Sequence, residues 1–238
     1  MQVTDKAIVV AVDGPSGSGK SSVSKGVAHA LGLRYLDTGA QYRAMTWWML
    51  RNGVDVADAQ AVAAACVKPN IASGTDPDSP AITVDGEDVS AAIRTPEVTA
   101  AVSAVAGVQP VRDRLIALQR QIIAAALAES AGVVAEGRDI ADVVYPAADS
   151  KIYLTASPEA RAARRNAELT VGSVVGSSPI THVTAAGTLA DLARRDAEDA
   201  KTTRPHEAAP GAVIVDATHL TLPQVIDRVV ELAEAARA

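Results

Sequence analysis

Ala7-Ile8-Val9-Val10-Ala11-Val12-Asp13-Gly14-Pro15-Ser16-Gly17-Ser18-Gly19-Lys20-Ser21 is the stretch on which the reading of this chain turns. The apolar, valine-rich run to Val12 predicts a buried strand. Gly14–Ser21 then satisfies G-x-x-x-x-G-K-[ST] between that strand and a predicted helix. The glycines let backbone N–H groups curl around an anion, and the helix beginning near Ser21 turns the positive end of its dipole toward it. Lys20 adds a charge and Ser21 a hydroxyl able to ligate Mg²⁺. A glycine-rich turn serving only the chain's path has no reason to place Lys-Ser in this register. Lys20 is expected to face solvent.

Working outward, four more β-branched runs read as buried parallel strands: Arg34–Leu36, Val133–Glu136, Lys151–Thr155 and Ala212–Val215, with helical patterns between them. Parallel neighbours need right-handed crossovers, so a doubly wound α/β sheet flanked by helices follows. Ligands in such sheets bind beyond the strands' carboxyl ends. Asp13-Gly14, Asp37-Thr38-Gly39 and Gly137-Arg138-Asp139 fall there. Two stretches break the alternation. Within 71–90, Ser73–Pro80 reads as an exposed loop and Ile82–Val89 as a hairpin turning near Asp85-Gly86, an antiparallel insert in a parallel fold. The second, Thr170–Thr188, is rich in Gly, Ser, Thr and Val and lies between helix patterns at Pro158–Leu169 and Leu189–Ala200, as a mobile cover does.

Composition narrows the class. With 238 residues, 48% hydrophobic, 21% charged and no long apolar run, the chain reads as one soluble globular core carrying excursions. No signal-peptide pattern opens it, so the cytoplasm is the expected compartment. A net charge of −6 speaks against a nucleic-acid binder and leaves anion recognition to local basic clusters. The four histidines and single cysteine show no zinc-ligand spacing, and Cys66, beside Ala64, Ala65 and Val67, reads as core. Trp47, Trp48, Met45 and Met49 read as helix packing.

A phosphate loop alone does not separate a GTPase, a motor ATPase and a small-molecule kinase. No Asn-Lys-x-Asp element is present, and none of the strand runs is read as ending in the aspartate typical of many ATPases. A spread of arginines instead suits transfer between two phosphates, whose charges must be held together by fixed cations. Gly14–Ser22 (GPSGSGKSS) with Leu36–Ala44 (LDTGAQYRA), then TVDGEDVSAAIRTPEV (83–98), VRDRLIALQR (111–120), AEGRDIADVVYP (135–146) and ARRDAED (193–199), resembles bacterial cytidylate kinases, P-loop nucleoside monophosphate kinases, over nearly the whole chain.

That resemblance implies a P-loop NTPase fold, ATP and CMP or dCMP as substrates, Mg²⁺ as the metal, and specific residues. Gly14, Pro15, Ser16, Gly17, Ser18, Gly19, Lys20, Ser21 and Ser22 would bind ATP, joined by Arg161 and Arg165 from a lid, with Ser21 on Mg²⁺. Ser103, Arg112 and Asp139 would face cytosine, Arg195 and Asp199 the pentose, and Arg43 and Arg138 a phosphate, with Thr38 also at the CMP site; Lys20, Arg138, Asp139 and Arg195 would carry catalysis. The chemistry agrees, because a carboxylate or hydroxyl can accept from cytosine's amine while a guanidinium donates to O2 and N3. Arg161, Arg164 and Arg165, at helical spacing, suit either a solvated face or a closing lid. The sequence departs from the family at Thr202, where an arginine is usual; Arg204 is the expected substitute and Lys201 the alternative.

The implied organisation is a core of 1–38, 113–157 and 196–238, an acceptor-binding excursion at 39–112 and a lid at 158–195, acting as a monomer without nucleic acid or membrane. A kinase of another small acceptor, such as shikimate or gluconate, is the nearest rival, and a nucleotide-dependent switch without an acceptor the more distant one.

Overall fold

The apolar run ahead of the glycine loop forms β1 (Ile8–Asp13), buried along its whole length. In the computed structural model, which describes residues 6–129, 132–172, 185–201, 203 and 207–237, this strand is the middle of a five-stranded parallel sheet. Its companions are β2 (Arg34–Asp37), β6 (Gly132–Gly137), β7 (Ser150–Thr155) and β8 (Val213–Asp216), in the order β2-β6-β1-β7-β8. Because side chains alternate across a strand, Val10 and Val12 pack on one face with Val27 of α1 (Lys20–Leu31) and Val225 and Val229 of α8 (Leu222–Arg237). Val9 and Ala11 pack on the other with Ile123 of α5 (Gln109–Glu129). This is the expected P-loop α/β architecture, helices on both faces.

The insert carries its own apolar cluster. Met45 and Met49 of α2 (Thr38–Arg51) and Val62 of α3 (Ala59–Ala65) meet Val84, Ile93, Val105, Val111 and Leu115, with Val105 on α4 (Pro96–Ala106) and Val111 and Leu115 on α5. Its sheet has three antiparallel strands, β3 (Ile71–Ser73), β4 (Ile82–Val84) and β5 (Glu87–Asp88). The hairpin turns at Asp85 and Gly86, both at positive φ (52° and 84°), the pairing a type I′ turn requires. Strand β3 was not foreseen; it is too short to show a period, and the loop begins at Gly74 rather than Ser73. Cys66 is buried as expected, whereas Val67 beside it is 69% exposed. Thr75 O accepts the Tyr35 N–H at 2.9 Å, so this loop covers the outer edge of β2.

The lid pattern resolves into α6 (Pro158–Gly172) and α7 (Ala185–Asp199); residues 173–184 lie outside the described residues. Among those described, no helix is long and apolar enough to cross a membrane.

One expectation is corrected: strands do end in aspartate, namely Asp13, Asp37 and Asp216. The first is structural. Its carboxylate accepts the N–H groups of Ile140 and Ala141, each at 2.8 Å, and so ties β1 to the turn that follows β6. Burial pushes Asp13 up to about 6 from 3.8. The folded chain therefore favours the protonated form, and the stability linked to this group is full below 3.8 and lost as pH rises through about 6. Asp13→Ala strands two buried N–H groups and should cost about 2–4 kcal/mol by denaturant unfolding. The gap from wild type should narrow between pH 4 and 8, since only the wild type carries the ionisation cost.

Candidate active site

Register places the chemistry. Asp37 pairs with Glu136, and Asp13 with Gly137, so the carboxyl ends of β2, β6 and β1 form one edge beneath the phosphate loop. Lys20 does not face solvent as expected. Its ammonium is buried, donating to Gly14 O at 2.8 Å and Pro15 O at 2.7 Å, because the loop's curl that exposes N–H groups on one side turns carbonyls inward on the other. Burial, reinforced by Arg138, lowers the Lys20 pKa, and burial beside Asp37 raises that of Glu136. Tyr35 O–H donates to the same Glu136 carboxylate. Gly14 (φ 149°) could not carry a side chain, since a Cβ would overlap Leu154 O.

Three adjoining cavities run along this edge. The first, about 220 Å³, is lined by Ser16, Gly17, Gly19, Lys20, Ser21 and Ser22 of the loop, facing Asp37, Glu136 and several arginines. It shares Gly19 and Ser22 with a second, of about 670 Å³, which Ser18 also lines; its walls are Val23, Ala217, Leu220, Leu222 and Val225, together with Arg164. A third, about 110 Å³, shares Arg43, Arg138 and Arg195 with the first and is closed by Arg112, Asp139 and Ser103. An anion site thus lies between an apolar slot and a small polar one. Gly14 and Pro15 hold Lys20 rather than line the cleft.

The arginines converge from separate elements. Arg43 on α2 is anchored to Ile93 O (3.2 Å) and Thr99 Oγ1 (2.9 Å). Burial, with Arg195 next, pushes Arg43 down to about 10; burial, with Arg138 next, does the same to Arg195. Half-buried cations this crowded favour an anion among them, and the buried Arg195 Nε has no hydrogen-bond partner among the described residues. Arg165 lines the same cleft, as does Arg94, which the sequence reading missed. Arg161 departs from its expected place on ATP. It turns behind the loop to Asp196 (2.6 Å) and Ser16 O (3.0 Å), while Arg164 bonds Ser18 O (3.0 Å) and borders the apolar slot.

The polar slot holds the residues expected to face a base and sugar. Arg112 and Asp139 form an ion pair, both largely buried. Asp199 accepts from Ser103 Oγ at 3.1 Å and from Arg138 Nε at 3.0 Å. Thr38 Oγ1 donates to Glu136 O at 2.7 Å, and Thr203 completes the lining. Lys201 is exposed, and Arg204 lies outside the described residues.

The family model described as cytidylate kinase matches residues 10–235. The chain belongs to the cytidylate kinase family. Cytidylate kinase from Streptomyces griseus subsp. griseus is 56% identical over 238 residues, 100% of this chain and 97% of that one. That of Streptomyces coelicolor is 57% identical over 236 residues, covering 99% and 96%. Among solved structures, shikimate kinase from Acinetobacter baumannii in complex with shikimate covers 97% of this chain and 95% of that one, at 14% identity and a TM-score of 0.44.

In this cytidylate kinase family member, Thr38, Arg43, Ser103, Arg112, Arg138, Asp139, Arg195 and Asp199 line one slot. Sequence reasoning missed Arg94, Glu136 and Asp196, and placed Asp37 on the ligand edge without giving it a role. Glu136 had a signal, an acid closing the apolar run Gly132–Glu136 on the strand beside β1. Asp196 had none, since its partner Arg161 lies on another helix.

Proposed function

We infer that this cytidylate kinase family protein transfers the γ-phosphoryl group of ATP to CMP. The observation that carries the reading is the juxtaposition of the phosphate-loop cleft with a slot ending in the Arg112–Asp139 pair, arginines lining both. The adenine ring suits the apolar slot, which Arg164 also lines. Loop N–H groups and Lys20 take the donor phosphates. The acceptor phosphate sits among Arg43, Arg138 and Arg195. Its attacking oxygen is already anionic, so the reaction needs positioning and charge neutralisation rather than a strong base.

Asp139 is suited to accept from the cytosine amine and Arg112 to donate to its ring acceptors, the pentose lying toward Asp199. Mg²⁺ fits the donor set: Ser21 hydroxyl, Asp37 and Glu136 border the donor cleft with the oxygen ligands a hard cation takes. When bound with ATP, the ion would offset phosphate charge. We further propose that dCMP is accepted, that lid residues exclude water from the transfer, and that the enzyme is cytoplasmic and monomeric.

A coupled ADP-release assay over nucleoside monophosphates tests the reading. CMP and dCMP should be the best acceptors, with UMP behind by about ten- to a hundred-fold, the worth of a hydrogen bond to a charged group. AMP and GMP should be nearly inert. Equal efficiency with AMP would overturn it, and ADP release independent of any acceptor would make the protein a slow ATPase.

A further inference from the structure

The buried pair of Arg161 on α6 and Asp196 on α7 lines none of the three cavities described above, yet it seizes both backbone polar groups of one phosphate-loop residue. Ser16 N–H donates to Asp196 Oδ1 at 3.2 Å, and Ser16 O accepts from Arg161 NH1 at 3.0 Å. Arg161 NH1 reaches Asp196 Oδ2 at 2.6 Å, closing the ring. The residues are 8% and 2% exposed. A Cβ on the next loop residue, Gly17, would stand 3.1 Å from Arg161 O, so the loop's turn is seated directly on α6.

An ion pair this desolvated is a poor source of stability, because apolar residues of the same volume do as well or better. What it supplies is direction. Fixing the N–H and the C=O of Ser16 fixes the peptide planes on both sides of it, and those planes set where the adjoining loop N–H groups point in the cleft that Ser16 and Gly17 line. Three residues along α7, Asp199 holds Ser103 and Arg138 at the acceptor slot. The same helix turn therefore addresses both substrates through different carboxylates.

We propose that Asp196 is a positioning residue for the phosphoryl donor, acting through Ser16 and Arg161 to hold the phosphate loop in register with the lid helices. This rests on ATP being the donor but not on the identity of the acceptor.

The test is direct binding. Isothermal calorimetry of ATP-Mg²⁺ and, separately, of CMP on Asp196→Asn should show ATP affinity reduced about tenfold and CMP affinity within twofold of wild type. Steady-state kinetics should raise KM for ATP and lower kcat. Arg161→Gln should do the same, and the double variant should lose less than the product of the two singles. Thermal melts establish that each variant is folded. Unchanged ATP affinity in folded Asp196→Asn overturns the proposal, and so does an equal loss for ATP and CMP, the mark of a merely structural role. If Asp196→Asn does not fold, Arg161→Lys decides in the same assay, since it keeps the charge facing Asp196 but not the planar fork. Wild-type protein that binds CMP but not ATP would refute the kinase reading itself.

Discussion

Lys20→Ala is expected to lower kcat by about 10²–10³-fold or more while the protein stays folded, the range observed when one preorganised donor is removed from a developing oxyanion. The ammonium is held between the Gly14 and Pro15 carbonyls, already desolvated, so it spends little on reorganisation when phosphate charge shifts during transfer. A lysine free in solvent would lose that advantage. Lys20→Met should be as damaging as Lys20→Ala, because it keeps the apolar stem and removes only the charge. Lys20→Arg should rescue poorly, since a planar fork does not fit a seat shaped for a point charge. Steady-state kinetics with a circular-dichroism melt would decide. Near-normal kcat in Lys20→Met would remove the loop from the chemistry.

Asp139→Asn should cut kcat/KM for CMP by about thirty- to several-thousand-fold, the equivalent of about 2–5 kcal/mol for truncating one member of a buried, hydrogen-bonded charge pair. The loss has two parts. The amine of cytosine would meet an amide, which accepts more weakly than a carboxylate, and Arg112 would be left buried without its counter-charge. Kinetics on CMP and UMP side by side would separate them. UMP lacks the amine, so it should lose only the part due to Arg112, and the preference for CMP should shrink. An equal fall for both acceptors would mean that Asp139 only supports Arg112.

The sheet was legible because β1 announces itself twice, by its apolar run and by the glycine loop that must follow a strand at that edge. The hairpin was legible because Asp85-Gly86 suits few other geometries. The acceptor residues came from family motifs, and the fold explains why composition could not supply them. Arg112 and Asp139 are 27 positions apart and meet only once α5 has laid its first turn against the end of β6. The surroundings of Lys20 and Arg161 were misjudged for a related reason. A long basic side chain on a helix is usually solvated, and the partners that bury these two are backbone carbonyls of the loop and an acid on another helix, none of which a spacing rule reveals.

Helix α5 crosses a boundary that the sequence suggested near residue 112. Its 21 residues reach about 30 Å at 1.5 Å per residue. Val111 and Leu115 belong to the insert's apolar cluster, whereas Ile116, Ile123 and Ala126 belong to that of the main sheet. One continuous rod is thus cemented into two cores. The excursion cannot swing as a flap on a flexible strap, because turning it means tilting a beam whose far half is embedded in the sheet's packing. Excised alone, it would leave half of that beam's apolar stripe bare to water. In hydrogen-exchange measurements the amides of α5 should open with the main sheet, from end to end, rather than in two steps divided at Leu115.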